Sequence, residues 1–177
     1  MQGEPAARRH SPLAVFGTLI GVAAAVLAID QLAKAWVTAT LPFNSPREIL
    51  GPLLIFRRVL NSGAAFSFAS GSTWVFSIIA AAVVVFLIWF ARRIRSLSWA
   101  VLFGLLLGGT LGNLTDRLLR PPGFGVGRVV DFIQIPVLQA IFNIADSAIV
   151  TSMALFVLLT LRGTGLDGVR RSGRPQD

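Results

Sequence analysis

Phe142 to Val150 reads FNIADSAIV, and it lies inside an apolar run from Phe132 to Leu161 in which Asp146 is the only charged side chain. A run of that length and polarity is read as a membrane-spanning helix. A carboxylate at the centre of such a helix costs about 2.5–3.5 kcal/mol on insertion scales, and it is retained where it faces a partner or a wet cavity. The stretch therefore sets two expectations: a membrane fold, and a group for Asp146 to meet.

Working outward, uncharged stretches also run from Leu13 to Ile29, from Val59 to Ala91 and from Ser96 to Thr115. The second is too long for one helix and is divided by NSGAAFS (Asn61–Ser67), whose Asn, Ser and Gly favour turns. The chain of 177 residues, 54% hydrophobic and 14% charged, is too apolar for a soluble domain of its size. It reads as an all-α integral membrane protein with four transmembrane helices and a small extracytoplasmic β-containing segment. The expected organisation is a tail over 1–12, a single membrane domain over 13–161 and a second tail over 162–177. Within the domain the spans fall at about 13–36, 73–91, 97–115 and 139–161, the last helix starting near Leu138 to Ala140. The segment at about 40–70 holds short apolar runs such as PLLIF that suit strands. The N-terminal basic residues and apolar core could be a signal peptide. The core is long for that and continues past DQLAK to Trp36 with no small-x-small stop, so it is read as a retained span.

Composition removes much chemistry. There is no cysteine, and the single histidine, His10, lies in a polar tail, so thiolate and imidazole mechanisms are excluded. No metal or cofactor is expected. The net charge of +8 is distributed as short groups beside spans: Arg8 and Arg9, then RRIR (Arg92–Arg95), then Arg162, Arg170, Arg171 and Arg174. With four spans these groups share one side, which the positive-inside rule makes the cytoplasm; no nucleic-acid partner is implied.

Four of the eight acids, Asp30, Asp116, Asp131 and Asp146, fall at the opposite ends of the spans, together with Lys34, Asn61, Asn113, Arg117 and Asn143. Intramembrane ionisable groups at one face point to function. Asp30 and Lys34, four apart with the acid first, share a helix face; a local ion pair and a catalytic role are both open for them. Asn113, Asp116 and Arg117 suit a network tying span three to its neighbours. Gly104, Gly108 and Gly112 form a row that lets helix backbones approach closely. RPPGFGVGR (Arg120–Arg128) makes a loop.

With imidazole and thiol gone, the available chemistry is carboxylate, or a serine activated by Lys34. If the irregular segment FIQIP folds Asp131 back over Asp146, two carboxylates at roughly 3 Å share one proton, the arrangement of an aspartic protease. A Ser–Lys peptidase using Ser62 or Ser67 is a second reading, and a transporter binding a cation at the acids a third. The transporter would place polar residues through both leaflets, whereas the other halves of these spans are almost wholly apolar.

DQLAK (Asp30–Lys34), NSGAAFSF (Asn61–Phe68), GGTLGNLTDR (Gly108–Arg117), GRVVDFI (Gly127–Ile133) and FNIADS (Phe142–Ser147) occur in this order, and together they resemble the bacterial lipoprotein signal peptidase family, signal peptidase II. The resemblance covers about Leu13 to Leu161. It implies a four-span aspartic peptidase of the cytoplasmic (inner) membrane, both termini cytoplasmic and the active site at the extracytoplasmic face. Its substrates would be diacylglyceryl-modified prolipoproteins, cut immediately before the lipidated cysteine, in contact with membrane lipids. Globomycin-type cyclic peptides would inhibit it. The resemblance makes Asp131 and Asp146 catalytic, with Asp30, Lys34, Asn61, Asn113, Asp116, Arg117 and Asn143 around them. Thr110 and Thr115 depart from the family's usual apolar residues.

Overall fold

A computed structural model describes residues 11–63, 73–138 and 140–169. Arg8, Arg9, Ser67, Arg170, Arg171 and Arg174 lie outside the described residues. Four helices are long and apolar enough to cross a membrane: α1 (Pro12–Thr40), α2 (Thr73–Ala91), α3 (Leu97–Leu119) and α4 (Ile144–Leu161). Local chemistry sets their ends. Ser11 accepts a hydrogen bond from the Ala14 N–H with Pro12 in the first turn, which starts α1. Pro121 and Pro122, just beyond α3, cannot continue it.

The most buried helix is the least apolar. The mean hydropathy of α3's spanning window is 1.5, against 2.0–2.6 for the others, yet 61% of that window is buried, against 17–22%. It faces protein where its neighbours face lipid. The glycine row is the reason: a Cβ at Gly104 would sit 2.8 Å from the Leu19 carbonyl oxygen, and one at Gly108 2.6 Å from that of Ala23, so this row seats α1. Gly109, on the next face, does the same for α4 at the Ala145 carbonyl. Packing of this closeness replaces the hydrophobic drive that lipid does not supply. Thr110 and Thr115 are accommodated because their hydroxyls donate back to Leu106 O and Leu111 O at 2.7 and 2.8 Å.

The remaining elements form an antiparallel sheet in chain order: β1 (Pro46–Glu48), β2 (Ile55–Asn61), β3 (Val129–Ile135) and β4 (Ala140–Phe142). The expected strands between 40 and 70 are β1 and β2, but half the sheet comes from a region read as irregular or helical. Asp131 stands on β3, and a 3-10 turn at Pro136–Leu138 returns the chain into β4. Helix α4 accordingly starts at Ile144, later than the expected Leu138–Ala140, which puts Asp146 in its first turn. The physical cause is the Asn143 cap. Its side chain accepts the Asp146 N–H while the Asp146 carboxylate accepts the Asn143 N–H, a reciprocal capping box.

A small core of Val37, Leu41, Val130 and Phe132, with Phe56 edge-on to both Trp36 and Phe132, joins the sheet to the C-terminal end of α1. Residues 129–132 are all buried, so β3 is covered on both faces. With Val130 and Phe132 turned to that core, strand alternation turns Asp131 the other way.

Candidate active site

Lys34 is fully buried, and its ammonium has three partners. They are Asp30 Oδ2 at 2.8 Å, Asp116 Oδ2 at 3.0 Å and Asn113 Oδ1 at 3.1 Å. An ammonium has three donors, so this set satisfies it. Both carboxylates are also fully buried, and each has work for its other oxygen. Asp30 Oδ1 accepts the Ala145 N–H at 3.0 Å, while Asp116 Oδ1 takes the Arg120 Nε–H at 2.7 Å. Asp116 Oδ2, besides Lys34, accepts the Val130 N–H at 3.0 Å. The two acids thus hold the main chain at Ala145 and Val130, the residues immediately before Asp146 and Asp131. The ion network on α1 and α3 fixes where β3 and α4 present their aspartates.

Those aspartates are linked through Asn143. Its side-chain amide donates to Asp131 Oδ1 at 2.6 Å, and its main-chain N–H donates to Asp146 Oδ2 at 3.1 Å. Asn61, at the end of β2, donates to Asp131 Oδ2 at 2.8 Å. Asn113 donates to Asp146 Oδ1 at 2.7 Å while its own oxygen receives Lys34 and Asn143. Register explains the Asn61 contact: β2 pairs antiparallel with β3, Asn61 opposite Val129, after an irregularity between Phe56 and Val59. Antiparallel diagonals bring residues two apart within reach of long polar side chains.

Of the nine residues singled out in the sequence, eight join this connected set. Arg117 touches it only through the main chain, its Nη1 donating to Asn113 O at 3.2 Å, and its buried Nε has no hydrogen-bond partner. Sequence reasoning missed Gln31 and Arg120. Gln31 donates to Asp30, Asp116 and the Gly112 carbonyl, stitching α1 to α3. Arg120 was legible as an i, i+4 partner of Asp116.

A family described as signal peptidase (SPase) II matches residues 22–162. The chain belongs to the signal peptidase II family. Among relatives, it is 61% identical to a lipoprotein signal peptidase of Leifsonia xyli subsp. xyli over 85% of this chain and 69% of that protein. It is 49% identical to one of Streptomyces coelicolor over 85% and 73%. A solved bacterial membrane enzyme superposes with a TM-score of 0.75 at 32% identity, covering 84% of this chain and 95% of that one. This signal peptidase II is therefore an aspartic-type peptidase and a multi-pass membrane protein.

The peptidase's Lys34 is a poor general base as held here, because its described partners are two carboxylates and an amide oxygen, with no serine among them. Asp131 is different. It lies outside the spanning helices and is 1% exposed. Burial pushes its carboxyl from 3.8 up to about 6; the charge of Asp146 adds to the rise, and the amide bonds from Asn61 and Asn143 and the charge of Lys34 oppose it. A raised carboxyl binds more protons in the folded than in the unfolded chain between 3.8 and about 6. The contribution of Asp131 to stability is therefore full at low pH and is lost as pH rises through that window, by about 3 kcal/mol at roughly 1.4 kcal/mol per unit. Thermal unfolding at pH 4.5 and 7 should show Asp131→Asn gaining on the parent at the higher pH. Parallel curves at both pH values would show that burial does not perturb this carboxyl.

Beside Asp146, a cavity of about 380 Å³ is lined by Leu138, Phe142, Asp146, Ser147, Val150 and Thr151. Its walls are mostly apolar, and Val150 is exposed on the surface of a spanning helix. One carboxylate therefore borders an open, mostly apolar cavity while the other is enclosed.

Proposed function

We propose that this peptidase removes the signal peptide from prolipoproteins whose cysteine carries diacylglycerol, cutting the bond immediately before that cysteine, with Asp131 and Asp146 as its catalytic pair. The observation that carries the reading is Asn143, which holds one carboxylate by its side chain and the other by its main chain. Two acids from separate elements, one enclosed and one beside an apolar cavity, suit a pair holding one proton between them. In the working pair the ionised member takes a proton from water, and the hydroxide-like oxygen adds to the scissile carbonyl carbon. The protonated member donates a hydrogen bond to the carbonyl oxygen as it gains charge. Collapse of the tetrahedral species breaks the C–N bond, and the departing nitrogen takes a proton from the pair. Burial makes Asp131 the preferred holder of the resting proton, though the apparent titration belongs to the pair.

The remaining site residues act through these two: Asp30, Lys34 and Asp116 set the backbone, and Asn61, Asn113 and Asn143 orient the carboxylates. The distribution of basic groups in the sequence supports a reading with both termini in the cytoplasm and the pair at the extracytoplasmic face of the inner membrane. The apolar cavity beside Asp146 suits the lipid-bearing side of the substrate and a globomycin-type cyclic peptide. The reading is tested by cleavage in detergent or proteoliposomes of one prolipoprotein prepared with and without the diacylglyceryl group. Lipidated substrate should be cut at least about tenfold faster, since burying even part of a chain at about 0.8 kcal/mol per CH₂ exceeds that difference. Equal rates would remove lipid recognition from the proposal.

A further inference from the structure

Between α1 and α2 a crevice of about 330 Å³ lies over α3, reaching from Leu27, one turn short of Asp30, toward the end of the bundle that carries Arg92 and Arg93. Phe16, Ile20, Ala24 and Leu27 line it from α1, Ile88 from α2 and Leu107 from α3, so its wall is almost wholly apolar. Phe16 to Leu27 runs about 16 Å along the helix, at roughly 1.5 Å per residue, which makes the crevice a slot rather than a bowl. Phe16, Ile20 and Ile88 are exposed, so the slot opens sideways toward lipid. It shares no lining residue with the cavity at Asp146.

Ala91 lines the end of the slot, and the chain continues from it into Arg92 and Arg93, both exposed. Val15 and Leu19, near the start of α1, belong to the same buried cluster as Ala91 and Ile94, which flank this basic turn. The Arg93 guanidinium lies 4.7 Å from the Trp89 ring centre and 5.7 Å from that of Phe90. Stacking of this kind holds the guanidinium plane while leaving its N–H edge to bind a phosphate. Exposed Arg95 and Arg162 belong to the same end. Among the described residues, none of these four arginines has a carboxylate within ion-pair distance.

We propose that this slot and its arginine rim form a binding site for one anionic phospholipid of the bilayer, an acyl chain lying in the slot and the phosphate on Arg92 and Arg93. An apolar groove alone would accept any chain. The cationic mouth, with a tryptophan at headgroup level, selects the charge of the occupant. The site lies away from the cavity at Asp146, and the bound lipid fills the gap between α1 and α2, which each pack on α3 and scarcely touch one another.

The test uses the full chain in nanodiscs of phosphatidylcholine doped with phosphatidylglycerol, released into the gas phase for native mass spectrometry. The parent protein should retain one phosphatidylglycerol with a preference of about tenfold or more, two arginines each contributing near an anionic headgroup. Arg92→Gln with Arg93→Gln should keep an adduct but lose the headgroup preference. Ala24→Phe, which fills the slot, should lose the retained lipid of either kind. Equal retention of both lipids by the parent would overturn the proposal, as would an undiminished preference in the arginine pair, and the second outcome can be read even if Ala24→Phe does not fold. Normal phosphatidylglycerol retention by a folded Ala24→Phe, or recovery of a peptide in place of the lipid, would overturn it as well.

Discussion

Asp131→Asn and Asp146→Asn should each reduce processing of a lipidated prolipoprotein by on the order of 10³-fold or more, while the protein still inserts and purifies as a folded species. General acid–base catalysis contributes about 10²–10⁴-fold per group, and each substitution removes a proton acceptor without changing side-chain shape. The structural cost is bounded by the contacts. Asp131 accepts one amide from Asn61 and one from Asn143, and an asparagine can accept only one of the two without turning a donor onto a donor. One such mismatch costs about 1–3 kcal/mol, offset at Asp131 by removal of a buried charge. Asp146→Asn should weaken the α4 cap, because its carboxylate accepts the Asn143 N–H. Turnover with purified variants, alongside their unfolding temperatures, separates the two effects. Near-normal turnover by either variant would dismiss the pair. Asp116 is the control acid: it carries two ion pairs and a main-chain contact but no direct bond to Asn143, so a loss in Asp116→Asn as complete as in the other two would point to the wrong carboxylate.

The helices could be read from composition because a spanning helix needs only an uncharged stretch of sufficient length, and α2 and α3 begin where the sequence suggests. The acid cluster was equally legible, since the charged residues of an apolar chain stand out and their ends of the spans follow from the number of crossings. The start of α4 was not. Residues 132–142 are as apolar as a helix, and buried strands and buried helices share that signature. The overlooked signal was the Asn143-to-Asp146 spacing of a capping box, which places the first turn without reference to hydropathy. The error mattered for chemistry. An Asp146 deep in a helix is an intramembrane charge seeking compensation, whereas an Asp146 at the third helical position is held by the helix's own terminus. Gln31 went unnoticed for another reason: a glutamine beside an aspartate carries no periodic signal, and only the approach of α1 to α3 at Gly112 turns it into a bridge.

Lys34→Met should be the most destabilising single change at the site, lowering stability by about 3–5 kcal/mol, the range for breaking a buried ion pair from one side. Methionine fills nearly the same volume but leaves Asp30 and Asp116 facing each other across the vacated ammonium position, both at 0% exposure. Asp116 keeps Arg120 at 2.7 Å, whereas Asp30 keeps only neutral donors, Gln31 and the Ala145 N–H. The loss should therefore fall on the seat of α4 before that of β3. Lys34→Arg offers no rescue: the longer planar group must fit where a Cβ on Gly112 would already lie 2.6 Å from Asp30 Oδ2. Asp30→Asn added to Lys34→Met should recover part of the stability, because it removes the charge that the first substitution orphaned. This compensation distinguishes a positioning lysine from a catalytic one. A general base lost at Lys34 would leave a stably folded, inactive protein that no change at Asp30 restores, whereas a lost counter-ion gives a heat-labile protein whose activity at low temperature returns with the second substitution. Unfolding temperature and turnover measured on the single and double variants decide between them, and a Lys34→Met protein as stable as the parent would show that the buried ammonium does not hold the two aspartates in place.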